Sequence, residues 1–142
     1  MYQSKTGKFL YHFYKERDSI FMQHYERLLI RLDEEDIHNL RRAGKRIKAL
    51  FQLFEEIRPE FNYPKRFQPI KDVFNNAGFL REIQVNINTL NSYKPSNLLV
   101  KTFGDFVSNK RLVFKNQLVT AIDNLRFKKH KKSVRKVRVA VR

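Results

Sequence analysis

The sequence predicts an all-α chain: an antiparallel bundle of four to five helices followed by a basic C-terminal tail. Two observations carry that prediction. Only 4 Gly and 4 Pro interrupt 142 residues, and apolar side chains recur at spacings of three and four, the period of a helix buried on one side. Strand-like alternation is absent before residue 134. A hydrophobic share of 42%, with 13 Phe, is enough to fill a core at this length. Helices of this size joined by short turns pack as antiparallel neighbours.

The elements follow in order. A first helix is expected from Lys5 to Leu32, with Phe9, Phe13, Ile20, Met22, Leu28 and Leu29 among its apolar positions. The acidic run Asp33-Glu34-Glu35-Asp36 suits the start of a second helix, where carboxylates face the positive end of the macrodipole. That helix reaches Ile57, and Pro59 and Pro64 bracket the next turn. A short third helix is expected over Lys65–Ala77, with a break at Gly78 before a fourth over Phe79–Ser92. Lys94-Pro95-Ser96 reads as a turn, and a fifth helix is expected from Asn97 to Phe127. The bundle is thus assigned to residues 1–127 and the tail to 128–142. From Val137 the tail alternates Val and Arg, a weak strand signal in a segment too short for a sheet.

Charge narrows the function. Lys+Arg number 30 against 14 Asp+Glu, a formal +16. Nine of the cations lie between Arg126 and Arg142 with no acid among them; the remaining 21 face 14 acids in residues 1–125, an excess of seven. A polyanion is the expected partner. With no Cys there is no thiolate metal site, no Cys nucleophile and no disulfide, which is compatible with the cytoplasm. No run of 18 apolar residues codes a membrane span, so no membrane insertion is expected. The four histidines (His12, His24, His38, His130) are scattered, with neither HExxH nor a metal-ligand spacing. No enzyme, metal site or cofactor is expected.

The second helix is the informative one. At about 100° per residue from His38, Arg41, Lys45 and Lys48 fall near 300°, 340° and 280°, and Arg42 and Arg46 near 40° and 80°. Ile37, Ala43, Ile47, Leu50, Phe51, Phe54 and Ile57 take the opposite arc. Five cations and a histidine therefore share one face, and no acid neutralises them at i,i+4. Such a stripe is either an exposed, solvated surface or a track for an anion.

The stretch His38-Asn39-Leu40-Arg41-Arg42-Ala43-Gly44-Lys45-Arg46-Ile47-Lys48 resembles the signature of the CHAD family, the conserved histidine α-helical domain. In that signature a His is followed by basic residues at +3, +7, +8 and +10, here Arg41, Lys45, Arg46 and Lys48. A second segment, Ile70 to Val85, is similar to the family's lysine, glycine and arginine with acidic neighbours, at Lys71, Gly78, Arg81 and Glu82. The sequence departs from the pattern at Gln84, where the family has a second acid, and at two motif positions that are Lys instead of Arg. Family members usually hold two four-helix bundles, and this chain holds about one. His130, with Arg135 five residues on, has the wrong spacing for the second motif. The chain is thus either a half-length relative or a piece cut where a second half begins.

The resemblance implies non-enzymatic binding of inorganic polyphosphate, and with it a location at polyphosphate granules. The implied site is His38, Arg41, Lys45, Arg46 and Lys48, with Lys71 and Arg81 supporting and Arg42 peripheral. The residue chemistry agrees: the ligand has no bases to stack or read, so it needs cations and neutral donors. Arg81, Gln84, Asn88 and Asn91 recur on one face of the expected fourth helix and would supply such donors. His38 either donates to phosphate or orients Arg41; Glu82 would anchor Arg81 or another cation. Sequence-independent binding of RNA or DNA by the body and tail is the rival reading. A C2 homodimer would rebuild a two-bundle arrangement from half-length chains.

Overall fold

In the computed structural model, which describes residues 4–93, 98–125 and 127–141, the chain is helical almost throughout. The expected turn at Lys94-Pro95-Ser96, the expected start at Asn97, and Arg126, Arg142 and the Lys128 side chain lie outside the described residues. Helix α1 spans Lys5–Ile30, capped by Ser4, whose hydroxyl accepts from the Gly7 N–H at 2.9 Å. Helix α2 spans Glu34–Ile57. Its cap is Asp33, whose carboxylate accepts from the Glu35 and Asp36 N–H groups; these bonds hold the Asp33 carboxyl below its ordinary range. A 3₁₀ turn at Pro59–Phe61 leads to Asn62, which takes a left-handed conformation (φ 56°) and caps the next helix through the Lys65 N–H.

Helix α3 runs unbroken over Tyr63–Leu90. The expected third and fourth helices are therefore one, and Gly78 is not a break. A glycine inside a helix costs about 1 kcal/mol relative to alanine, a cost that packing readily offsets. Helix α4 covers Leu98–Asp123. The basic C-terminal segment is helix α5, Phe127–Ala140, so the Val/Arg alternation does not form a strand. Helical spacing brings His130, Ser133, Val137 and Val141 to one side, and all four are buried.

From α1 to α4, sequential helices are antiparallel. His24 of α1 meets Asp36 near the start of α2, Arg41 of α2 lies over Gly78 of α3, and Phe79 of α3 stacks near Phe114 of α4. The core between them is rich in rings. Phe51 packs against Tyr14, Phe54, Phe61 and Phe67, and Phe67 against Phe74. The edge-to-face pairs among these, Phe51–Phe61, Phe51–Phe67 and Phe67–Phe74, add about 0.5–1.5 kcal/mol each beyond area burial. Tyr25 ties α1 to the end of α4 by donating its hydroxyl to the Ile122 carbonyl at 2.9 Å. Helix α5 then packs on α3 and reaches α1, where His130 Nε2 lies 2.7 Å from Asp18 Oδ1 with both side chains almost fully buried. The hydroxyl of Tyr14 lies beside the same carboxylate, and burial with that negative charge pushes its pKa well up.

Candidate anion-binding groove

Helix α2 presents its cations because its other side is the core. Ile37, Leu40, Ala43, Ile47, Phe51 and Phe54 are buried, which leaves positions 41, 45 and 48 at the seam with α3. There they line an open groove of about 360 Å³, whose α3 wall is Phe74, Asn75, Gly78, Phe79 and Glu82.

Arg41 is the centre of this seam. Its guanidinium carbon lies 4.7 Å from the centroid of the Phe74 ring, a cation–π contact. It crosses α3 at Gly78, where a Cβ would stand 2.6 Å from Nη1 and 2.7 Å from Cζ. Gly78 is therefore needed for close approach: it leaves the space in which the guanidinium lies flat. No carboxylate pairs with Arg41, Lys45 or Lys48 among the described residues. The groove thus holds a positioned arginine and two lysines that no ion pair among the described residues ties up.

The other predicted residues divide. His38 is half-buried one turn before Arg41. Burial first, and then the charges of Arg81 and Arg42, push its pKa below the ordinary histidine value. It makes no hydrogen bond to Arg41 (among the described residues), so it does not orient that side chain directly. Arg81 is half-buried and lies electrostatically close to His38. Glu82 is exposed, lines the groove as its one acid, and among the described residues forms no ion pair with Arg81 or another cation. Lys71 is exposed on α3 and does not line the groove.

Two expectations need correction. Arg42 and Arg46 do not join Arg41 in one track. They line a separate cleft of about 340 Å³ on the α1 side of α2, with Arg17, Gln23, His24 and Asn39. The reason is angular: about 100° separates Arg41 from Arg42, and α1 and α3 pack on opposite flanks of α2. Gln84 is not a donor on an exposed face. It is 3% exposed, its Oε1 has no hydrogen-bond partner among the described residues, and it belongs to the covered side of α3. Asn88 is exposed but does not line the groove.

Sequence reasoning missed Gln52 and Asn75 as groove donors. Both were reachable by spacing, since Gln52 extends the row 41–45–48 and Asn75 precedes Gly78 by three. It also missed Arg17, which sits on an otherwise apolar side of α1 with its guanidinium 4.9 Å from the Phe13 ring.

Among the described residues no three His, Asp or Glu side chains are grouped so as to hold a metal ion. No helix there is long and apolar enough to cross a membrane. No curated protein and no solved structure matches the chain. The CHAD domain family model matches residues 21–142, which takes in α2, α3 and both motif segments. That family is associated with polyphosphate binding. The match covers most of the sequence; Arg41, Lys45, Lys48, Gly78 and Glu82 of the two motif segments line the groove, whereas His38, Arg46, Lys71 and Arg81 of those segments do not, and this chain is a member of the CHAD domain family.

Proposed function

We propose that the protein binds inorganic polyphosphate electrostatically in the α2–α3 groove and carries out no chemistry on it. The observation that supports this most directly is Arg41. It is held by an aromatic face and a glycine instead of a carboxylate, so its hydrogen-bond donors stay available to a ligand. Lys45 and Lys48 continue the positive charge along the same wall, and Gln52 and Asn75 offer neutral donors. Polyphosphate, charged at every unit and without bases, fits such a wall. A cytoplasmic location at polyphosphate granules accords with this reading.

The test is a titration of the full chain with long-chain polyphosphate at several salt concentrations, in competition with duplex DNA and with RNA at matched phosphate concentration. Polyphosphate should displace both. Affinity should fall linearly in log–log form with salt, the slope giving the number of phosphates neutralised. Displacement of polyphosphate by RNA, by a wide margin, would transfer the function to nucleic acid, and the exposed cations of α5 would be the first place to look.

His38 gives a pH signature. Burial first, and then Arg81, Arg42 and Lys45 against an opposing Glu35, disfavour its protonation in the free protein. It does not line the groove but stands one turn from Arg41, so a polyanion bound there favours the protonated form. Binding therefore takes up a proton, and affinity should keep rising as pH falls below about 6.5. His38→Gln should flatten that rise, measured by titration calorimetry in two buffers of different ionisation enthalpy. A rise that survives in His38→Gln would assign the proton to another group. The same depressed pKa works against the unliganded fold. The unfolded chain binds the proton first, so stability from this residue is lost as pH drops below about 6.5.

A homodimer is the second part of the proposal. The first half of α4 exposes Leu98, Leu99, Phe103 and Phe106, a contiguous apolar surface. A second copy burying that surface against its own would give a two-bundle particle. Light scattering should report a dimer, and Leu99→Glu with Phe103→Glu should return it to monomer; a monomer in the unaltered chain, with and without polyphosphate, removes the idea.

A further inference from the structure

A second concentration of positive charge lies away from the α2–α3 groove. Lys65 and Arg66 from the first turns of α3, with Lys129 and Lys132 from α5, line a cavity of about 470 Å³; Asn62 and Ser133 complete its polar wall, and no acid lines it. None of its lining residues belongs to the α2–α3 groove.

Arg66 is the unusual member. It is 8% exposed, yet among the described residues its side chain donates one hydrogen bond, from Nε to the Phe61 carbonyl at 3.2 Å, and no carboxylate lies within ion-pair distance. Its terminal nitrogens are not sealed without a partner, so they reach the cavity while the rest of the side chain is covered. A largely buried charge with no counter-charge is unfavourable unless something compensates it. Three lysines beside it add repulsion. An anion held in the cavity removes both penalties at once. The fold also brings these residues together from distant sequence, since Lys129 and Lys132 reach Arg66 only because the buried face of α5 docks.

We infer that this cavity is a second, independent anion site, taking a compact oligophosphate whose charge matches the four cations. The open groove of α2 and α3 suits an extended polymer; this cavity suits a short run of phosphates. The ligand is either a free small oligophosphate or a segment of a longer chain.

The experiment uses the full-length protein carrying Arg41→Ala and Lys45→Ala, so that the α2–α3 groove does not contribute and failure of the proposed function is seen separately. Tripolyphosphate and long-chain polyphosphate are titrated by calorimetry and by thermal shift. Each is repeated after adding Lys129→Ala with Lys132→Ala, both exposed positions. Binding of tripolyphosphate that weakens at least tenfold on the second pair of changes supports a site for a free small anion. Binding of the long chain alone, with the same loss, supports a site for a polymer segment. Arg66→Met keeps the volume and removes the charge. It should leave the helical circular dichroism intact while abolishing the anion-induced rise in melting temperature. Binding of either anion that is insensitive to both sets of changes, or no binding of either, overturns the inference.

Discussion

Replacing Arg41 and Lys45 together by alanine should weaken polyphosphate binding at least about tenfold, and more nearly a hundredfold if each removed hydrogen bond is worth about 1.5 kcal/mol, the lower value for bonds to charged groups. Lys45 is exposed and Arg41 lies half-buried at the seam over Phe74, and the core face of α2 itself is untouched. Helicity by circular dichroism and the thermal midpoint should therefore stay close to those of the unaltered chain. The salt slope should also fall, by roughly one for each phosphate no longer neutralised. Unchanged affinity in this double variant would mean that the groove is not the site. A control lies on the opposite flank: Arg42→Ala with Arg46→Ala removes the same formal charge from the α1 side. If local geometry governs binding, that pair should cost less than the Arg41 pair; if only net charge governs, the two should cost the same.

The second large effect is a contrast between two glycines on facing helices. At Gly44 a methyl group would enter the Phe74 ring and come 3.4 Å from Phe21, both in the core. Overpacking of this kind costs about 1–3 kcal/mol, against at most about 1 kcal/mol gained from better helix propensity. Gly44→Ala should lower the melting temperature by several degrees. At Gly78 the three atoms nearest the same methyl group all belong to the guanidinium of Arg41, the far end of a flexible side chain. Gly78→Ala should leave stability equal or slightly raised, and lower polyphosphate affinity roughly threefold to tenfold by displacing Arg41. Differential scanning calorimetry and a binding titration on the two variants decide it. A Gly78→Ala protein that binds normally would show that the seated position of Arg41 is not the one that recognises the ligand.

The sequence made the helices legible wherever period and capping agreed. The acidic run at Asp33–Asp36 located the start of α2, and the cations at +3, +7 and +10 from His38 located one wall of the groove. It misled at Gly78, because a glycine that interrupts a helix and one that admits a neighbouring arginine look alike until the neighbour is known. Treating the five cations of α2 as one face failed for a similar reason. Angles place side chains around a helix, but which flank is covered by α1 and which by α3 is tertiary information. Gln84 shows the same limit, being polar by type and covered because of where α3 sits. In α5 the stripe of His130, Ser133, Val137 and Val141 was present but carried by a histidine and a serine, so charge density hid the buried side.

The meeting of His130 with Asp18 has a consequence for how the molecule forms. It joins residues about 110 positions apart, and the Tyr25–Ile122 bond joins residues 97 apart, in a protein whose other contacts are mostly local. Closing loops of that length carries an entropic cost that local helix pairing does not. The α1–α2 and α2–α3 hairpins should assemble early, and the docking of α5 should come late. Until α5 arrives, Asp18 lacks His130, and a truncation before residue 128 would leave it so permanently. Removing the basic segment is thus a lesion of the interior as well as a loss of charge, and single substitutions are the better way to ask what its lysines do.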